Sequence, residues 1–152
     1  MIENIIMAKT INKDKLDRTA INYCRAICNR QVLQLRKDRK TGKYIWDFPA
    51  IAVACCSPNS TIYTDYSRGV RELHIHEPLK SALKCIGEIG KPSHLSKNKI
   101  GRCAEQHAAN QLFRQFPKEL LTNVYFSAAY RPKTLQIFNY CENCKRLFSN
   151  LK

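Results

Sequence analysis

Apolar residues near the start of the chain recur every three or four positions. The recurring positions are Leu16, Ala20, Tyr23 and Ile27. This spacing is typical of the buried stripe of an amphipathic helix. Asn12 or Asp14 can cap the first turn, because a short polar side chain there accepts a hydrogen bond from the backbone. The pattern predicts a helix over residues 13–32.

An unbroken apolar run over residues 50–56 comes next, after a turn predicted at 40–43. Its small and β-branched residues carry no charge, which is typical of a strand buried on both faces. A turn at 57–60 separates it from residues 61–66, where apolar and polar positions alternate. We expect these two strands to form a hairpin.

The second half of the chain predicts helices and one further strand. Pro78 opens a helix over 79–89, which is ended by Gly87 and Gly90. A further helix is entered through Gly101 and stopped before Pro117, and residues 123–129 form a β-rich run. The final helix follows the sequence Cys-Glu-Asn-Cys at 141–144.

Composition describes an ordinary globular chain. Its 152 residues and 17.6 kDa suit one domain, and 44% hydrophobic with 25% charged residues exclude disordered, collagen-like and coiled-coil classes. We therefore expect a single domain spanning residues 1–152.

Charge is the first departure from the average. Lys and Arg number 26 against 12 Asp and Glu, a net charge of +14. Residues 9–43, expected to be a basic helical region, hold 11 Lys and Arg against 3 acidic residues. Such a field attracts polyanions, so single-stranded DNA or RNA is the expected partner. The alternative is that these charges only keep a helix soluble.

No segment predicts membrane insertion or Sec-type export. The longest apolar run, 48–56, is too short to cross a bilayer, and the first ten residues lack a basic n-region, an apolar h-region and a cleavage site. We expect a cytoplasmic protein, or one delivered into a target cell by a non-Sec route.

Eight cysteines are the second departure, and they fit disulfides, a metal site or free thiols. Cys141 and Cys144 stand at C-x-x-C spacing at a helix start, where the helix dipole favours the thiolate that metal binding needs. Cys103 opens another helix, with Glu105 two residues on. Three ligands leave the fourth position of a tetrahedral metal for water, which is typical of catalytic zinc. A structural zinc clip or a redox pair is the alternative for C-x-x-C alone.

Cys103-Ala104-Glu105 followed by Cys141-Glu142-Asn143-Cys144 resembles the signature of the zinc-dependent cytidine deaminase-like superfamily. In that family [HC]-A-E opens one helix and P-C-x-x-C opens the next. With Gly101 and Arg102 in front, the motif looks most like the deaminase domains at the C-termini of bacterial polymorphic toxins. The resemblance covers residues 50–150 and implies an α/β fold, an α/β/α three-layer sandwich. Tyr140 stands where the family usually has proline.

The resemblance also implies a shortened sheet. The family's last two strands follow the second motif helix, whereas eight residues follow Cys144 here. We expect either a sheet that lacks these strands or replacements from elsewhere, for example residues 43–48 or 72–75.

By resemblance, Cys103, Cys141 and Cys144 hold Zn²⁺, and Glu105 moves protons between a metal-activated water and the base. The implied activity is hydrolytic deamination of a nucleobase, expected to be cytosine in DNA or RNA, in a toxin that would have an immunity protein as partner. Ala104 would pack close to the substrate. A free nucleoside or nucleotide deaminase, and a non-catalytic zinc module that binds nucleic acid, are the alternatives.

Other residues receive secondary roles. Asn59 and Tyr63 are candidate base contacts, and Arg102 and Arg146 are candidate donors to the sulfurs. His107 is not expected to ligate, since it lies a turn beyond the helix start. The remaining residues fall into two groups, packing thiols and aromatics that could stack on bases: Cys24, Cys28, Cys55, Cys56 and Cys85; Tyr44, Trp46 and Phe48. For Trp46 and Phe48 an ordinary place in the core is the favoured alternative.

Overall fold

A computed structural model describes residues 10–29, 35–46 and 48–151. The first helix, α1 (Lys13–Cys28), begins where the hydrophobic pattern predicts. Asn12 is its N-cap, and its side-chain oxygen accepts a hydrogen bond from the Lys15 amide at 3.0 Å. The helix ends earlier than predicted, at Cys28, where the Asn29 amide closes the last turn. The predicted continuation over 30–32 lies outside the described residues.

A five-stranded antiparallel sheet forms the centre of the fold. Its strands are β3 (Ala52–Cys56), β4 (Tyr63–Tyr66), β5 (Tyr125–Phe126), β6 (Ala129–Tyr130) and β7 (Ile137–Phe138). The predicted hairpin is confirmed, since β3 pairs antiparallel with β4. On its other side β3 pairs with β5 and β6, and β6 pairs with β7.

The predicted strand over 123–129 is interrupted at Ser127, which accounts for the separation of β5 from β6. The Ser127 amide donates to the Ala54 carbonyl at 2.9 Å, and its hydroxyl accepts from the Ala54 amide at 2.9 Å. A side chain thus takes the place of one backbone partner at this position. The local geometry of a bulge lets the chain remain joined to β3 while its direction changes.

Both faces of β3 are covered by helices, because its residues alternate between two buried clusters. Val53 and Cys55 belong to the cluster that includes the other three helices, α2 (Leu79–Ile86), α3 (Ala104–Gln115) and α4 (Glu142–Leu147). Ala52, Ala54 and Cys56 contribute to the cluster that packs against α1. The described chain is therefore a mixed α/β unit in which four helices surround one principal sheet.

The later helices follow the predictions with shorter ends. α2 stops at Ile86, where the Gly87 amide bonds to the Leu83 carbonyl, instead of continuing to 89. α3 stops before Phe116 and Pro117, as expected. α4 begins directly after Cys141, and a 3-10 turn, Ser149–Leu151, replaces its predicted last turn.

Neither candidate replacement strand joins the main sheet. Residues 44–46 do form a strand, β2 (Tyr44–Trp46), but it pairs with β1 (Leu35–Lys37) in a separate two-stranded sheet. Glu72–His74 is a 3-10 turn. In the part of the chain that the structure describes, no strand follows α4, and β7, upstream of it, forms one edge of the sheet. Within the described residues of the basic region 9–43, Lys13–Cys28 is helix and Leu35–Lys37 is strand, so the described part is not helical throughout.

The packing-thiol prediction holds for three of its five cysteines. Cys24, Cys55 and Cys56 are buried, whereas Cys28 and Cys85 are exposed. These two lie near the C-terminal ends of α1 and α2, away from the positions that face the core. Among the described residues, no helix is long and apolar enough to span a membrane.

Replacing a buried and an exposed leucine by alanine tests which residues form the core. Leu112 on α3 is fully buried, while Leu73 is 73% exposed. We expect Leu112→Ala to lower the free energy of unfolding by about 2–5 kcal/mol, because it leaves a cavity. Leu73→Ala should change it by about 0.5 kcal/mol or less. Chemical denaturation measures both, and equal effects would contradict the packing described above.

Candidate metal centre

Three cysteine sulfurs meet where α3 and α4 begin. Cys103 is the N-cap of α3, Cys141 is the N-cap of α4, and Cys144 lies in the first turn of α4. The Sγ atoms of Cys103 and Cys141 are 3.1 Å apart, and those of Cys141 and Cys144 are 3.4 Å apart. All three sulfurs lie within 4.8 Å of one another. The sequence prediction that these residues come together is therefore matched by their positions.

The three sulfurs fit a soft or borderline metal ion. Tetrahedral zinc with bonds of about 2.3 Å to sulfur separates its sulfur ligands by about 3.8 Å. The separations of 3.1 and 3.4 Å approach this value without any change of fold. In the described part of the chain, this is the group of cysteine, histidine or acidic side chains placed closely enough to hold a metal ion.

The pKa shifts of the three thiols are also consistent with a metal site. A hydrogen bond with Cys103 lowers the pKa of Cys141, and hydrogen bonding with Cys141 raises the pKa of Cys103. Burial raises the pKa of Cys144. Three sulfurs this close cannot all ionise alone because like charges repel, so a cation would stabilise the fully deprotonated cluster.

Glu105 lies beside the sulfur cluster on the first turn of α3. Its side chain is buried, with the residue 4% exposed, and its Oε2 is 3.6 Å from the Sγ of Cys144. Burial raises the pKa of the Glu105 carboxyl to about 7, and the charge of Cys141 acts in the same direction. A carboxyl with a pKa near neutrality can both accept and donate a proton, as general acid–base catalysis requires.

Gln106 also contacts the sulfur cluster, although the sequence did not predict this role. Its Nε2 donates to the Sγ of Cys144 at 3.5 Å, and its Oε1 accepts from the Gly101 amide at 2.6 Å. Gly101 has a φ of +91°, and a Cβ there would lie 2.5 Å from Val70, so this tight turn requires glycine. Gln106 thus joins the turn before Cys103 to a sulfur on the other helix.

The predicted arginine donors do not contact the sulfurs through any hydrogen bond in the described structure. Arg102 is exposed and lines the cavity in front of the cluster. Arg146 is exposed and lines a different cavity, beside His94 and Leu95. Hydrogen bonding to Cys144 comes from Gln106 instead.

A cavity of about 180 Å³ leads to the cysteines and Glu105. Ile51 and Ala129 give it apolar walls. Three polar residues also line it, from loops far apart in the sequence: Ser67, Asn98 and Asn139. Sites for drug-sized ligands typically have volumes of about 300–1,000 Å³. This cavity is smaller, so it suits one small ring of a larger molecule.

The predicted substrate contacts divide between this cavity and other places. Ala104 lines the cavity, as expected from its place in the motif. Asn59 lies elsewhere, in a cavity formed with residues 115–119. Tyr63 pairs with Cys55 across the β3–β4 hairpin and packs against the core. The structure does not bring Asn59 or Tyr63 to the cavity, because the turn and the start of β4 lie away from the beginning of α3.

The histidines stand apart from the sulfurs. His107 donates from Nε2 to the Arg68 carbonyl at 2.8 Å, in agreement with the expectation that it does not ligate. His74 is the last residue of a 3-10 turn and not part of a strand, and His76, two residues on, accepts a hydrogen bond from Arg114 at 3.2 Å. None of these histidines joins the cysteine group.

Tyr140, in the position before Cys141, fixes the entry to α4. Its hydroxyl donates to the Ser127 carbonyl at 2.6 Å. The segment that leads to Cys141 is therefore fastened to the irregular position between β5 and β6. This hydrogen bond provides a restraint where the resembled family has proline.

A scan of protein-family models and searches of curated proteins and solved structures find no match to this chain.

Metal content tests the cysteine cluster. We expect the purified wild-type chain to hold about one metal ion, and Cys103→Ser or Cys144→Ser to hold much less because a three-sulfur site loses a ligand. Cys85→Ser is the matched control, since Cys85 is exposed and outside the cluster. Elemental analysis measures the content. Full metal content in both cluster variants would exclude these sulfurs as ligands.

Proposed function

We propose that this protein is a zinc-dependent hydrolase that deaminates a nucleobase. The observation that carries the proposal is the position of Glu105, a buried carboxyl 3.6 Å from Cys144, at the end of a small open cavity. A structural zinc clip has no need of an acid beside its sulfurs. The helices on both faces of the sheet are compatible with the three-layer sandwich that the resemblance implies.

Each residue of the site has a role in this proposal. Zinc held by Cys103, Cys141 and Cys144 would supply Lewis-acid activation of water. Glu105 would carry one proton from the attacking water to the ring nitrogen and then the second proton of that water to the amine, which departs as ammonia. Ala104, 1% exposed, leaves room for the ring because it carries only a methyl group.

The cavity walls provide the means to hold a flat, polar ring. Ile51 and Ala129 can contact its faces, while Ser67, Asn98 and Asn139 offer donors and acceptors for its edge. The backbone of Asn98 is held in place, because its main-chain carbonyl accepts from the buried Asn143 side chain at 3.0 Å. Such a mixture suits a nucleobase, with cytosine as the expected base.

Glu105→Gln tests the catalytic role directly. We expect it to keep the metal and the fold, because the two side chains have nearly the same shape, and to lose about 10²–10⁴-fold in deamination rate. Sequencing nucleic acid from cells that express each form measures C-to-T and A-to-G changes.

Glu142→Gln is the matched control for this experiment. Glu142 adjoins Cys141 but is exposed and paired with Lys145 at 3.2 Å. Its substitution should leave the rate unchanged. Undiminished activity in Glu105→Gln would remove Glu105 from the mechanism.

A polynucleotide substrate is favoured by the β1–β2 ribbon, defined here as residues 35–46. Both strands are largely exposed except at Trp46, which is half-buried and packs against the core, and the pairing register puts Lys37 opposite Tyr44 and Leu35 opposite Trp46. These four side chains share one face because paired residues in antiparallel strands point the same way. The turn adds a final set of basic residues: Arg39, Lys40 and Lys43.

The ribbon combines the two features that single-stranded nucleic acid requires, positive charge along the backbone and aromatic rings for stacking. Tyr44 is 70% exposed, so its ring is accessible. Ala50, which lines the cavity, is four residues beyond Trp46. The chain can separate their Cα atoms by at most about 14 Å. A single strand of nucleic acid bound on the ribbon would therefore lie close to the cavity at the metal centre.

Binding of a single-stranded oligonucleotide tests the ribbon. We expect affinity to fall steeply with salt, and the double variant Lys37→Gln, Tyr44→Ala to lose about tenfold, since one stacked base contributes about 1–3 kcal/mol. The matched control is Lys118→Gln, Leu120→Ala, which removes one charge and one exposed apolar side chain elsewhere. Fluorescence anisotropy measures both variants.

The outcome also separates the alternative functions. Binding that does not depend on salt, with deamination of free nucleosides, would indicate a salvage-type enzyme. Salt-dependent binding with no deamination would indicate a non-catalytic zinc module. A toxin-like role and an immunity protein as partner belong to the proposal through the resemblance alone.

A further inference from the structure

A second cavity, of about 540 Å³, lies beside the metal centre and contains none of its residues. We call it the arginine cavity. Its polar lining comes from the segment 68–74 and from α3: Arg68, Arg71, His74, His107, Asn110 and Arg114. Its polar lining contains basic and neutral groups but no acidic side chain.

Two buried side chains of α3 hold the loop that forms this cavity. His107, 6% exposed, donates to the Arg68 carbonyl at 2.8 Å. Asn110, 9% exposed, donates to the His74 carbonyl and accepts from the His76 amide, each at 2.8 Å. The backbone that carries Arg71 is thus held on both sides by hydrogen bonds, so a ligand would meet a preformed wall.

The nearby acidic groups are already paired with other basic groups. Asp65 is bonded to the guanidinium of Arg68 and also accepts from Gln111, and Glu72 forms an ion pair with Lys84. The ion pairs within residues 10–29, 35–46 and 48–151 do not include Arg71 or Arg114. The positive charge of these two guanidinium groups is therefore left uncompensated at the cavity.

Arg114 is oriented for binding by its own hydrogen bond. Its Nε donates to the Nε2 of His76 at 3.2 Å, and its Nη groups make no hydrogen bond within the described part of the chain. Guanidinium groups bind phosphate through pairs of parallel N–H donors. A concave surface with charges of one sign also concentrates anions.

We propose that the arginine cavity binds a phosphate group, with Arg71 and Arg114 as its principal contacts. Two uncompensated positive charges match the charge of a phosphate monoester more closely than that of a single carboxylate. The phosphate can belong to a free nucleotide or to a nucleic acid strand, since both present the same oxygens.

The two cavities are neighbours along the backbone. Ser67 lines the metal-centre cavity and Arg68, the next residue, lines the arginine cavity. The Arg68 amide donates to the Arg102 carbonyl at 3.1 Å, which joins this segment to the chain entering α3. One ligand could present a base to the first cavity and a phosphate to the second. That connection rests on the proposed function, whereas phosphate binding itself does not.

Calorimetric titration of the full chain tests the proposal, with inorganic phosphate, a nucleoside 5′-monophosphate and a short single-stranded oligonucleotide as separate probes. We expect Arg71→Gln, Arg114→Gln to weaken phosphate binding by about tenfold or more. The variant Arg71→Lys, Arg114→Lys keeps the charge without the forked donors, so it should show an intermediate loss.

The matched control is Arg18→Gln, Arg25→Gln, which removes the same charge from exposed positions on α1. It should change the affinity for inorganic phosphate less than about twofold, because exposed charges at a distance are screened. Far-ultraviolet circular dichroism and thermal melting establish that each variant is folded.

The probes identify the source of the phosphate. Tighter binding of the monophosphate than of the oligonucleotide, lost in the double Gln variant, supports a nucleotide ligand, and the reverse order supports a nucleic acid. Wild-type protein that does not bind any probe, or a folded double Gln variant that binds as tightly as the control, would overturn the proposal. If the wild-type protein binds phosphate but does not deaminate any nucleobase, the proposed function is wrong and the phosphate site still stands.

Discussion

Burial of α3 against β3 and β4 is the constraint on which both cavities depend. Nine of the twelve residues of this helix are buried, and four of those are polar. A buried polar side chain is costly unless it has a hydrogen-bond partner. The four are satisfied at different places: Glu105 and Gln106 at the sulfur cluster, and His107 and Asn110 on the loop beside it. One helix therefore fixes the metal centre and the wall of the arginine cavity together.

The beginning of α3 collects features that a purely structural core avoids. Two helix N-termini converge on three thiols, a carboxyl is buried beside them, and Gly101 adopts a conformation that favours glycine. Such local departures from good packing are typical of functional sites, and the surrounding structure compensates for them. Here the compensation comes from Gln106, which joins the two helices, and from Tyr140, which fastens the approach to Cys141.

The positive charge of the protein is organised into surfaces with different properties. The β1–β2 ribbon is an exposed projection that combines Lys37 with the accessible ring of Tyr44. The arginine cavity is concave and held rigidly by α3. A flexible partner strand can follow a projecting ribbon, whereas a preformed cavity favours one group of defined shape. Part of the net charge of +14 is thus arranged in two local forms, an exposed ribbon and a concave cavity.

Local sequence determined the elements and the chemical motif of this protein. The apolar stripe of α1, the buried run of β3 and the C-x-x-C pair Cys141 and Cys144 are visible without coordinates, because periodicity and C-x-x-C spacing are properties of short segments. Cys103 joins that pair in the prediction through its place at another helix start and through the family resemblance. Tertiary structure decided what depends on distant contacts. It placed Asn59 away from the cavity, brought Ser67, Asn98 and Asn139 to it, and paired residues 44–46 with β1 instead of the main sheet. Strand pairing and cavity lining join residues tens of positions apart, and no local pattern specifies which of them will meet.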